Sequence, residues 1–189
     1  MGEGNNHVHG VNGGGGGQSS SRPSVFTIGH SNGSLEHLIQ LLCEHRVEVL
    51  VDTRSHPYSR FFPHFSRDSL KNAVRVAGFR YLYMGDSLGG RPTDRTCYDA
   101  EGKVLYDKIE EQEFYKRGIE RVMDGIGRYR VCLLCSEEDP IKCHRRLLIV
   151  RTLRRRDVEP RHIRGDGRIE TELEVEGRYR QTTPQFRLL

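Results

Sequence analysis

RVCLLCSE, residues 130–137, runs through five apolar residues and then stops at a hydroxyl and a carboxylate, with a thiol at its last apolar position. A continuous apolar run this short, with no polar residue every second position, reads as a strand buried on both faces of a parallel sheet. Three other stretches have the same form: VFTIG (25–29) before His30, EVLV (48–51) before Asp52, Thr53 and Arg54, and RYLYM (80–84) before Asp86. Helical patterns separate them. Ser34 stands as an N-cap before Leu35, Leu38, Ile39 and Leu42, and Ser66 before Leu70, Ala73, Val74 and Ala77, with Gly78 as the stop. One long helix is expected through Ile109, Ile119, Val122, Met123 and Ile126, and another from Asp139-Pro140 through Leu147, Leu148 and Leu153.

This alternation predicts an α/β fold, a single three-layer domain with a mostly parallel sheet flanked by helices, Rossmann-like in kind. In such sheets ligands bind beyond the carboxyl ends of the strands, so the residues closing the four runs are expected to share one cleft. Three regions follow: a disordered Gly/Ser-rich tail (1–23), an α/β catalytic domain (24–165), and a C-terminal extension (166–189) that packs a strand on the domain. VEPRHIR (158–164) reads as a last short strand, RIETELEVEGRYR (168–180) as a weak strand or tail, and the loop SLGGRPTDRTCYDAEGK (87–103) is long enough for a lid.

With 189 residues the chain suffices for one well-buried core. Thirty Lys and Arg against 26 acidic residues give a net charge of +4, a mild lean toward anionic partners. No stretch approaches the ~20 apolar residues of a membrane span, and no apolar signal core is seen, so a cytoplasmic protein without membrane contact is expected. Five cysteines in such a chain favour reduced thiols over a disulfide framework.

Around Cys135-Ser-Glu137 and Cys143-His144-Arg145 two thiols, an imidazole and a guanidinium surround one strand-to-helix turn. A thiol near a helix start beside Arg145 is expected to shift toward the thiolate. Zinc on the pair Cys132 and Cys135 is disfavoured, because residues three apart on a strand point to opposite faces, and no metal is expected. A phosphatase-type loop fails on spacing, since Ile141 stands six residues after Cys135 where an arginine is needed. Cys135 or Cys143 as nucleophile, and both thiols as packing with His144 and Arg145 tying the turn, stay open.

From Asp52 to Arg67, arginines, histidines and aromatic rings interleave, a composition that suits an unstacked base or a nucleotide. Asp52 at a strand end has the chemistry to activate water or to stabilise charge developing at a sugar C1, which glycosidic cleavage requires. Its structural alternative is a salt bridge to Arg54 or Arg60. His30 is a candidate acid, base or phosphate donor, or else a strand cap. Leu88-Gly89-Gly90-Arg91-Pro92 brings a cation on close-approach backbone, although an ordinary turn accounts for the two glycines.

TIGHSN, VDTRSHPYSRF, LGGRP and the C-x-E followed by CHR together resemble the family called domain of unknown function 488, over about Val25 to Ile163. The resemblance implies a compact α/β domain with a site on His30, Asp52, Arg54, Arg60, Glu137, Cys143, His144 and Arg145. It also implies kinship with proteins suspected of acting on nucleic acids or nucleotides, in removal of unusual bases. The expectation is an enzyme hydrolysing an N-glycosidic bond of DNA or a nucleotide, without cofactor, with Asp52, His30, Glu137 and His144 catalytic. Arg54, Arg60, Arg91 and Arg145 are expected to grip phosphates, and Tyr58, Phe61 or Tyr81 to stack on a base. The alternatives are a thiol-dependent enzyme using Cys135 or Cys143 and a non-enzymatic nucleic-acid-binding module.

Overall fold

The computed structural model describes Met1 and residues 22–182; the Gly/Ser-rich segment expected to be disordered and the end of the C-terminal extension lie outside the described residues. The core is a six-stranded sheet in the order β3-β2-β4-β1-β5-β6. Its strands are β1 (Ser24–Gly29), β2 (Val49–Asp52), β3 (Arg80–Tyr83), β4 (Val131–Cys135), β5 (Glu159–Ile163) and β6 (Ile169–Thr171). The first five are mutually parallel, and β6 returns antiparallel to β5. All four quoted runs are strands.

The chain first steps outward from β1 to β2 to β3, then doubles back to insert β4 between β2 and β1, and crosses β1 to reach β5. Right-handed crossovers in opposite directions place their helices on opposite faces. Accordingly α1 (Leu35–Glu44) and α2 (Arg67–Val76) cover one face, where Leu38, Leu42, Leu70 and Val74 meet Phe26, Ile28, Leu50 and Leu134. The opposite face carries α4 (Tyr106–Glu111), α5 (Glu113–Ile126) and the helix after β4, with Ile109, Ile119, Leu148 and Leu153 against Val49, Val51 and Leu133. The end of β4 therefore lies between two strands that leave toward the other side of the sheet. That is the switch point where such folds open a crevice.

Several elements depart from the sequence expectation. Ser34 caps α1 by accepting from the His37 N–H at 3.1 Å, but Ser66, at the cap of α2, accepts from Ser59 N instead. The expected long helix is two, because Gln112 is extended, and its amide donates to the Lys108 carbonyl that the break leaves free. The 87–103 stretch is not a plain loop: it begins within α3 (Gly85–Leu88) and contains a 3₁₀ turn at Arg95–Cys97. Asp139 and Pro140 start only a 3₁₀ turn, Pro140–Lys142, with Asp139 accepting from Ile141 N. Cys143 is extended, and the helix proper follows as a π-helical stretch, Arg145–Val150, continued by α6 (Arg151–Arg154).

The charged C-terminal stretch is a strand and a helix rather than a tail: β6 and α7 (Glu172–Thr182). Two of its glutamates are buried and paired, Glu170 with Arg164 and Arg178, Glu172 with His162 and Arg146. Burial of paired carboxylates is invisible to an amphipathic pattern. Among the described residues no helix is long and apolar enough to cross a membrane.

Candidate functional site

At the carboxyl ends of β2 and β4 the molecule opens into a cavity of about 710 Å³, lined among others by Arg54, Arg91, Tyr98, Tyr106, Cys135, Glu137, Lys142 and His144. Its floor is a cluster of four donors. The Cys135 thiol donates to Glu137 Oε2 at 2.7 Å and the Cys143 thiol to the same oxygen at 3.1 Å, while Cys135 Sγ lies 3.4 Å from His144 Nδ1. His144 Nε2 sits 3.1 Å from the Thr53 carbonyl, an acceptor only, so that nitrogen carries the proton and Nδ1 presents its lone pair to the cluster.

The parts are held from outside the cavity. Arg145 is fully buried, and its guanidinium donates to the carbonyls of Glu137 and, at 2.6 Å, Glu138, with Nε reaching Thr27 Oγ1. It fixes the backbone that carries Glu137 and has no face for a phosphate, contrary to expectation. Gly29 permits this path, since a Cβ there would lie 1.7 Å from the Glu137 carbonyl oxygen. Gly90 is equally constrained: its Cβ would meet that of His144 at 2.7 Å, so only glycine lets the 88–92 stretch lie on the imidazole and put Arg91 at the rim. A turn alone does not explain it.

Burial works to raise the Glu137 pKa, but the hydrogen bonds from Cys135 and Cys143 prevail and hold it at about 2. The Cys143 thiol is pushed well above its ordinary value by Cys135 beside it and by burial. This reverses the expected drift toward thiolate at Cys143. Arg145 still acts to lower it, but its guanidinium is spent on backbone carbonyls, and the neighbouring sulfur and burial outweigh it.

Asp52 is not in the cavity. It is 0% exposed, and both oxygens are taken, one by Arg54 N and Nε, the other by Arg54 NH2 at 2.6 Å and the Tyr81 hydroxyl at 2.6 Å. Asp52 lies opposite Leu134 in the β2–β4 register and shares its face, whereas Cys135, one residue on, points to the other. The expected general base is therefore a buried brace for Arg54, and Tyr81 is its hydroxyl partner rather than a stacking surface. Arg54 also donates to the Phe65 carbonyl and reaches His30 Nε2, keeping little of its fork for a substrate.

His30 stacks on Phe65 at 4.0 Å and lines a separate cavity of about 220 Å³ with Asn32 and Glu138. Burial first, then the Arg54 charge, lower its pKa from 6.5 to about 4. The unfolded chain thus binds this proton more readily, and the stabilisation present above 6.5 is lost as pH falls toward 4. Chemical denaturation across that window is expected to show the wild type losing about 2 kcal/mol more than His30→Gln, after allowance for partial exposure. Equal slopes for the two proteins would refute the assignment.

Arg60, Tyr58 and Phe61 stay outside the cavity; the last two are 78% and 84% exposed on the loop between β2 and α2. Tyr98, Tyr106 and Lys142 were missed at the level of sequence. An isolated antiparallel bridge between Tyr98 and Val104 folds that loop back on itself, and Tyr98 and Tyr106, at the start of α4, both line the cavity; neither carries a sequence motif that marks it. Lys142, adjoining Cys143-His144, was legible by adjacency. A further groove of about 540 Å³, largely apolar, runs along the edge strand β3 beside α5, remote from these groups.

No curated protein and no solved structure matches the chain. A family model described as domain of unknown function DUF488 matches residues 34–151, more than half of the chain, including β2, β4 and all four donors of the cluster but not β1 or His30. The chain belongs to the DUF488 family.

Proposed function

We propose that the protein hydrolyses an N-glycosidic bond of DNA or a nucleotide, with Glu137 in the role that sequence alone assigns to Asp52. One observation supports this most. Glu137 is the carboxylate lining the cavity, and around it stand Arg91 and Lys142, neither with a carboxylate partner among the described residues, together with Tyr98 and Tyr106. Glycosidic cleavage calls for a carboxylate to stabilise positive charge at C1 or to orient water; guanidinium and ammonium groups suit phosphate, and tyrosine rings suit a base.

The cavity volume falls within the range of small-ligand sites, so a base from a duplex would enter only after extrusion. An ionised Glu137 fits charge stabilisation better than proton donation. The Cys135 to His144 contact favours a thiol nucleophile as second reading, yet the Cys135 thiol is already engaged as a donor to Glu137 at 2.7 Å.

Calorimetric titration with nucleoside monophosphates and short single-stranded DNA tests the substrate class. Joint replacement Arg91→Ala and Lys142→Ala is expected to weaken binding ~10–100-fold, the worth of one or two charged hydrogen bonds, and to flatten its salt dependence. Unchanged affinity would move the substrate out of this cavity. Tight binding with no change in the nucleic acid would leave the binding-module reading in place of catalysis.

A further inference from the structure

We propose that Cys135, Cys143, His144 and Glu137 bind a single zinc(II) ion at the floor of the cavity. Their donor atoms all lie within 4.8 Å of one another. Zinc with thiolate and with nitrogen or oxygen ligands has tetrahedral edges of about 3.3–3.8 Å, and the donor separations here run from 2.7 Å to within 4.8 Å, so changes of up to about 1 Å between side-chain tips, within reach of side-chain rotation, would seat it. Cys132 is no part of this set, since it points to the opposite face of the sheet and packs with Phe26 and Leu50. The set forms because the turn after β4 returns Cys143 and His144 to the end of that strand.

Three further features point to a cation. Two thiols and a carboxylate converge with no lysine or arginine among the described residues in hydrogen-bond contact with any of the three, and the thiol protons lie between them. His144 donates from Nε2 to the Thr53 carbonyl, the outer hydrogen bond that ligating imidazoles characteristically make, which aims the Nδ1 lone pair inward. Backbone on both sides is fixed in advance, by Arg145 on the Glu137 carbonyl and by the helix start after Cys143. Sulfur and imidazole donors select zinc over magnesium or calcium.

Binding replaces the two thiol protons, which leave to solvent, while Glu137 enters ionised and His144 neutral. The liganded site then carries one net negative charge. Glu137 is the exposed member of the four and faces the cavity, so it is the ligand a water molecule displaces, leaving Cys135, Cys143 and His144 with an open position. This site rests on donor geometry and not on the identity of the substrate, and it shares Glu137 with the proposed reaction.

The test is metal analysis of the full chain followed by cobalt(II) titration of the chelator-stripped protein. The expected result is one zinc per chain, and a cobalt form with thiolate charge-transfer absorption and tetrahedral visible bands saturating at one equivalent. In competition with a chromophoric chelator, Cys143→Ser is expected to lower zinc affinity by ~100-fold or more, beyond the ~10–100-fold loss that an outer partner causes. Cys43→Ser, at an exposed thiol, should change nothing. A wild-type chain without stoichiometric zinc and without cobalt–thiolate bands would overturn the proposal, whatever the variants do. So would Cys143→Ser binding zinc as tightly as the wild type. A chain that binds zinc but releases no base would keep the site and sink the proposed activity.

Discussion

Asp52→Asn is expected to lower the free energy of unfolding by about 3–5 kcal/mol while leaving the reaction in the cavity running wherever the variant is folded. The Asp52 and Arg54 side chains are 0% and 5% exposed, and the carboxylate receives three hydrogen bonds from Arg54 and one from Tyr81. An asparagine keeps one acceptor oxygen and sets an amide against donors, so the guanidinium stays buried without its counter-charge. Removing one partner of a buried pair costs much more than the pair contributes, because the remaining ion keeps its desolvation penalty. Urea denaturation of both proteins measures the difference through the midpoint at constant slope. A loss below about 1 kcal/mol would show that Arg54 finds other partners and that the brace is dispensable.

The brace matters for function because Arg54 ties three segments together. Through Asp52 it is anchored on β2, through the Phe65 carbonyl on the turn before α2, and through His30 on the end of β1. Thr53, between Asp52 and Arg54, offers its carbonyl to His144 and its hydroxyl to the Leu134 carbonyl. Loss of the ion pair would therefore loosen the peptide that orients the imidazole. The expected effect on turnover is secondary to the effect on stability.

The four apolar runs made the parallel sheet legible, and Ser34 with its apolar stripe made α1 legible, because each is a local pattern with a local cause. Which strand-end residues share a cavity was not. In strands buried on both faces, alternation carries no mark of which side each residue takes, so VLVD and VCLLC do not reveal that Asp52 and Cys135 part company.

Arg145 illustrates a second limit. A guanidinium beside a helix start reads as an anion site, yet here it is consumed by carbonyls of a loop that Gly29 allows to pass at contact distance. The donor cluster was only half visible, since Cys135, Glu137, Cys143 and His144 adjoin in sequence while their convergence depends on the 3₁₀ turn and the extended Cys143.

Glu137→Gln is the second large effect and the most direct test of where the chemistry takes place. The amide keeps the shape of the side chain but not its charge, and the loop beneath stays held by Arg145 through backbone carbonyls, so folding should persist. DNA carrying natural and modified bases is incubated with each protein, and abasic sites are then cut with alkali. Base release by the wild type, reduced ~10²–10⁴-fold in Glu137→Gln and retained in folded Asp52→Asn, is the expected outcome. Release by Glu137→Gln at the wild-type rate, or none from any substrate by the wild type, would contradict it.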